Sequence, residues 1–251
     1  MAQIRVMGGD PAANLGRAAT AIADAAARGA DIVLLPEALD LGWSDPSATT
    51  LATSIPDGSS CTRLANCARE HDVWVCAGLV ERDGEQIYNA AVLIDRAGDV
   101  VLKHRKINEL DFAREVYSIG DEAAVTETEF GAIGLMICAD AFIEGLAFSR
   151  TLGELRADVI LSPCAWAVPT DHDNDAEPYG GLWSDSYAPV AREFALWIAG
   201  VSNVGPINDG PWAGRKCIGC SMLVDPAGRI VSQAPYGADA ETVLYAEIEI
   251  Q

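Results

Sequence analysis

The sequence predicts an α/β fold of four layers, α-β-β-α, with two sheets packed face to face and helices on their outer sides. Three observations predict it. First, the chain repeats itself. Ala30-Asp31-Ile32-Val33-Leu34-Leu35-Pro36-Glu37 returns as Ala157-Asp158-Val159-Ile160-Leu161-Ser162-Pro163-Cys164, and the stretch from Ala91 to Val101 returns from Ser221 to Val231. Ile4-Arg5-Val6-Met7 is echoed by Ile133-Gly134-Leu135-Met136, so the offsets all lie near ~130 residues. Second, short apolar runs alternate with helix-periodic segments in the same order in both halves. Third, two similar halves must bury a shared core, and a chain of 251 residues is long enough to bury roughly 75% of its unfolded surface as one domain. The expected organisation is therefore one domain over residues 1–251, built from half-repeats of about 1–125 and 126–251 with an internal pseudo-twofold relation.

The elements follow in order. Residues 4–8 read as a strand, and Asp10-Pro11 supplies a helix cap and a first-turn proline. Leu15, Ala18, Ala19, Ile22, Ala25 and Ala26 then recur at helical spacing until Gly29. Ile32 to Leu35 is a short apolar strand of the kind covered on both faces. A second helix begins near Ser59 or Ser60, with Cys61, Leu64, Ala65 and Ala68 as its inner stripe. Strands at 73–80, 87–94 and 100–102 are joined by turns at Asp83-Gly84 and Ala97-Gly98. The second half gives a strand at 133–137, a helix at 144–156 carrying Leu152 and Leu155, a strand at 159–161 and a helix at 183–194. Strands at 196–201, 218–224 and 243–250 complete it, with a hairpin at Ala227-Gly228. Residues 103–121 and 167–182 are the least patterned, and loops of that length inside a domain are usually functional.

Composition narrows the function. The net charge of −20 disfavours nucleic acid and anionic membrane, both of which require a basic face. No apolar run is long enough to span a bilayer, and the N-terminus lacks the pattern of a signal peptide, so a cytoplasmic protein is expected. Seven cysteines, an odd number, argue against a disulfide framework. Cys217-x-x-Cys220 has no second ligand pair or nearby His, so no metal is expected there.

Three residues stand where the halves differ. Cys138 sits at the end of the strand 133–137, where a tight turn would expose a nucleophile and aim the following amide at the same ligand. The competing reading is a buried thiol, as for the other cysteines. Glu37 ends the first-half strand where Cys164 ends the second, and a desolvated carboxyl there would suit a general base. Lys106 lies in Lys103-His104-Arg105-Lys106, a basic island that is either a solvated patch or a cation beside a developing oxyanion. His71, His104 and His172 offer no convincing partner for the thiol.

Taken together these motifs resemble the nitrilase, or carbon–nitrogen hydrolase, superfamily. Leu34-Leu35-Pro36-Glu37, His104-Arg105-Lys106-Ile107 with Gly120 downstream, and Leu135-Met136-Ile137-Cys138-Ala139-Asp140 look like its Glu, Lys and Cys motifs. Tyr88-Asn89-Ala90-Ala91, Ser202-Asn203-Val204-Gly205 and Gly219-Cys220-Ser221 are lesser echoes. The resemblance implies a two-sheet sandwich between helices, a homodimer or larger assembly, and no cofactor. It also implies a Glu37-Lys106-Cys138 triad that cleaves a small linear amide through a thioester, with Ala139 donating its backbone N–H to the oxyanion. A second glutamate is expected at Glu115, which matches by its distance to Gly120, with Glu109 as its rival. Trp166, Phe142 and Trp43 are expected to line the substrate, with Trp183 and Tyr187 as further candidates. Ala139-Asp140 stands where true nitrilases have Trp-Glu, and Phe142-Ile143-Glu144 replaces Phe-Pro-Glu, so amides are favoured over nitriles and the next helix start is expected to be remodelled. Nitrile and N-carbamoyl amide hydrolysis remain alternatives, as does an inactive binding or regulatory homologue.

Overall fold

The structure is a computed structural model that describes residues 1–250. One sheet is formed by β1 (Ile32–Leu34), β2 (Trp74–Asp83), β3 (Gln86–Ile94) and β4 (Val100–Arg105), in that order. β1 and β2 are parallel, and the other two pairings are antiparallel. The second sheet contains β5 (Val125–Thr128), β6 (Gly131–Leu135), β7 (Val159–Cys164), β8 (Trp197–Ser202), β9 (Met222–Val224) and β10 (Ile230–Gln233). Its order is β10-β9-β8-β7-β6-β5. The run β7-β8-β9-β10 repeats the β1-β2-β3-β4 pattern of one parallel and two antiparallel pairings. The sequence repeat is thus a repeat of topology.

Side-chain alternation along the strands makes the layers. Trp74, Cys76, Ala91 and Leu93 face Val159, Leu161, Ala199 and Val201 in an apolar core between the sheets. Their neighbours Val75, Ala77, Val92 and Ile94 point the other way, onto α1 (Pro11–Ala27) and α2 (Ser59–His71). On the far side, Ile160, Ile198, Met222 and Val224 pack on α3 (Ala147–Glu154) and α4 (Gly181–Phe194). Because both faces of both sheets are covered, the inner strands carry almost no polar residue, which explains their continuous apolar runs. Asp10 caps α1 through Ala13 N at 3.0 Å, as expected.

Several element boundaries differ from the sequence reading. Residues 4–8 form no strand: Ala2–Gln3 pair with Thr242–Val243, and Arg5 makes a single bridge to Val204. Side chains take the donors instead, Glu241 accepting from Arg5 N and Asn14 from Met7 N. The helix expected from residue 144 starts at Ala147, because Glu144, Gly145 and Leu146 all have positive φ, and Leu155 falls outside it, exposed. The run 218–224 is broken by positive φ at Gly219 and Cys220, where Ser221 N donates to the Gln3 side chain. The terminal strand expected over 243–250 shrinks to Thr242–Val243. Among the described residues no helix is long and apolar enough to cross a membrane.

Candidate active site

The C-terminal ends of β1, β4, β6 and β7 converge at one rim of the sandwich. Beyond β1, Pro36 leads to Glu37, which is buried, and Ala38 turns the chain with φ +42. Glu37 N donates to Cys164 O at 3.2 Å, so the two copies of the repeated strand meet tip to tip. The turn lies on Gly78 of β2, where any Cβ would stand 2.5 Å from Glu37 Cα. Only glycine lets the backbone come that close.

β4 runs three residues further than the sequence suggested, to Arg105, and delivers Lys106 into the interior. Gly120 N donates to Lys106 O at 2.9 Å, and a Cβ on Gly120 would collide with Arg105 O. The Lys106 Nζ donates to Glu37 Oε1 at 2.7 Å and lies 3.5 Å from Glu109 Oε2. Burial by itself would lower the lysine pKa, but the carboxylates of Glu109 and Glu37 outweigh it and hold the ammonium well above its ordinary value. Glu109 is itself pushed up to about 7, first by burial. Glu115 does not reach this centre. It sits on the exposed side of a 3₁₀ turn over Asp111–Glu115, so the glutamate brought to Lys106 is its rival Glu109 and not the expected Glu115. Residues 106–109 are not helical; a bend at Ile107-Asn108 returns the Glu109 side chain to Lys106.

Beyond β6, Cys138 opens a 3₁₀ turn over Cys138–Ala141 and takes φ +43, a left-handed conformation that costs a non-glycine residue about 1–3 kcal/mol. Of the seven cysteines it alone is half-buried; the other six are buried. Burial pushes its thiol well above the ordinary pKa; the Glu37 carboxylate adds to that rise and the Lys106 ammonium opposes it. No histidine serves it: His104 is paired with Asp140 at 2.9 Å. Asn89 of β3, which the sequence offered only within the lesser echo Tyr88-Asn89-Ala90-Ala91 and not as a site residue, belongs to the site. Its Nδ2 donates to Glu37 Oε1 at 2.6 Å, and its backbone carbonyl accepts from Lys106 N at 2.8 Å. Its position in an apolar strand, as a buried polar side chain, was the available signal.

Aromatic walls close the site on two sides. Trp43 presents its ring 5.7 Å from Lys106 Nζ and packs with Phe112 and Trp212. Opposite, Cys138 packs against a cluster in which Trp166 stacks on Trp183 at 4.5 Å and Phe142 meets Trp183 edge-on. Tyr187 lies deeper, beside the Cys164 thiol. The loop 167–182 holds Tyr179, whose hydroxyl accepts from Trp183 Nε1 at 2.8 Å. Ala139 is buried directly after the thiol. Cys217 and Cys220 are both buried, with thiols pushed up to about 12 and about 11 by that burial.

The family model for carbon–nitrogen hydrolases matches residues 1–251. The chain belongs to the carbon–nitrogen hydrolase family. This hydrolase is 31% identical to a nitrilase from Pyrococcus abyssi over 96% of its own length and 85% of that protein's. It is 29% identical to an (R)-stereoselective amidase from a Pseudomonas species, over 93% and 79% of the two chains. The crystal structure of an amidase from Nesterenkonia sp. superposes with a TM-score of 0.78 at 23% identity, covering 94% of this hydrolase and 86% of that chain. That likeness establishes the four-layer fold. In a variant of the Nesterenkonia amidase, acrylamide has added to the active-site cysteine.

Proposed function

We propose that this hydrolase is an amidase that cleaves a small linear amide to a carboxylic acid and ammonia, with Cys138 as nucleophile, Glu37 as proton carrier and Lys106 as oxyanion partner. The observation that carries the reading is a buried ammonium shared by two carboxylates, at 2.7 and 3.5 Å, beside the one half-buried thiol of the chain. Glu37 takes the thiol proton as sulfur attacks the carbonyl carbon. The oxyanion is stabilised by Lys106 and the Ala139 N–H. Protonated Glu37 passes its proton to the departing amine, ammonia leaves, and a thioester remains on Cys138. Glu37 then draws a proton from water, which attacks the thioester and releases the acid and the thiol. Glu109 keeps Lys106 charged and fixed. Trp43 on one side and Trp166 and Phe142 on the other suit a short, uncharged acyl group. The same reading carries a homodimeric, cytoplasmic enzyme that needs no cofactor.

Nitrile hydrolysis is the second reading, and the 31% identity to a nitrilase favours keeping it. Ammonia release from a panel of short amides and from the matched nitriles separates the two. The expected outcome is ammonia from amides alone, lost in Cys138→Ala. Glu109→Gln is expected to lower kcat by about 10²-fold or more, whereas Glu115→Gln leaves it unchanged. Acid and ammonia from nitriles would favour the second reading, and silence with both panels would end the amidase proposal.

A further inference from the structure

Asp140, two residues after Cys138, has the surroundings of a positioning device. Its carboxylate is fully buried and accepts four hydrogen bonds. Oδ1 accepts from Ile107 N at 3.2 Å and Asn108 N at 2.8 Å. Oδ2 accepts from Ile137 N at 3.0 Å and His104 Nε2 at 2.9 Å. The first pair of donors lies between Lys106 and Glu109. The second pair comes from the residue before Cys138 and from β4, the strand that leads into Lys106. The two segments are otherwise separate loops on different sheets.

We infer that Asp140 is a positioning residue that locks the Lys106–Glu109 loop to the Cys138 turn, so that ammonium and thiol are held in one geometry. The inference rests on the hydrolase reading above and deepens it. Four N–H donors converge on one group, and an ionised carboxylate is the side chain with about four lone-pair sites to meet them. An asparagine amide would turn its NH₂ onto one pair of donors. Burial would raise the Asp140 pKa, but the His104 bond and the backbone N–H groups outweigh it and keep the carboxyl below its ordinary range, so the anion persists. His104 is held in turn by stacking on Phe148 at 4.8 Å. The left-handed φ of Cys138 is retained because its neighbours on both sides are tied: Ile137 N to the carboxylate, and Asp140 N to Ile137 O at 2.9 Å.

The test compares wild type, Asp140→Asn and His104→Phe, the latter removing one bond while keeping a ring against Phe148. Melting temperature, kcat, KM and the rate of Cys138 alkylation by iodoacetamide, read by peptide mass spectrometry, are measured on each. Asp140→Asn is expected to lower kcat by about 10²-fold, the scale of a misplaced reacting group, with KM little changed and Cys138 alkylation clearly slowed. His104→Phe should show the same pattern, more weakly. A lower melting temperature with kcat and alkylation within about twofold of wild type would mean a merely structural role and overturn the inference. If Asp140→Asn does not fold, His104→Phe decides by the same criteria. The alkylation rate needs no substrate, so slowed alkylation in an enzyme that releases ammonia from no amide would sink the amidase reading and leave the lock standing.

Discussion

At the scale of single residues, the buried charges of this protein differ in how well their partners match. Lys106 is satisfied by two carboxylates and Asp140 by four donors, whereas Asp40 is not fully matched. Asp40 Oδ1 accepts from Leu41 N and Val80 N, each at 3.1 Å, while Oδ2 is buried without a partner. Burial pushes its carboxyl from 3.8 to about 6. With the folded pKa above the unfolded one, the folded state binds the extra proton between those values, so stability is full below pH 3.8 and falls as pH rises through about 6. Asp40→Asn removes that loss. The variant is expected to melt above wild type at neutral pH, by an amount approaching about 3 kcal/mol, with the two curves converging below pH 3.8. Parallel melting curves across the window would contradict this account.

Among the elements, β1 and β2 place Glu37 by contact of backbone on backbone. Gly78 N donates to Pro36 O at 3.0 Å and Leu39 N to Gly78 O at 2.9 Å, so the Glu37 turn is strapped to β2 with no room for a side chain. Gly78→Ala is expected to cost about 1–3 kcal/mol and to lower kcat, because the clash is with backbone and displaces Glu37. Gly16→Ala is the control: nothing lies within 4 Å of its Cβ in α1, so it should add about 1 kcal/mol of stability and leave kcat alone. Denaturant melts and ammonia assays on the pair check both. Element boundaries were legible in the sequence wherever period and capping agreed, as in α1, α2 and the alternating strands. They were not legible where polar side chains or positive φ decided the matter, as at residues 4–8 and 144–146. The same limit hid the second glutamate. Distance to Gly120 along the chain favoured Glu115, but a 3₁₀ turn directs that side chain outward, and only the fold brings Glu109 to Lys106. Asp140 was visible as a departure from a pattern, yet its role depends on donors from loops about 30 residues away.

For the whole molecule, the strand repeat was readable because both copies bury the same face, and it led to the correct layers. The charge of −20 acts at this scale too. At low salt its field extends about 30 Å, against about 8 Å at physiological ionic strength. For a neutral amide, kcat/KM is expected to be insensitive to salt. For a monoamide that carries a carboxylate it should rise as salt screens the repulsion. A stopped assay at two ionic strengths distinguishes them, and salt-independent rates with both substrates would show that the field does not reach the cleft.

The hydrogen bond from Glu37 to Cys164 joins the tips of two strands that lie in different halves of the chain. The segments that carry Glu37, Lys106 and Cys138 therefore leave the ribosome at different times, and the rim where they meet is complete only once β7 is in place. Until the two sheets dock, Cys138 has neither the burial nor the neighbouring charges that set its pKa in the folded chain, so the state of this thiol reports the joining of the halves.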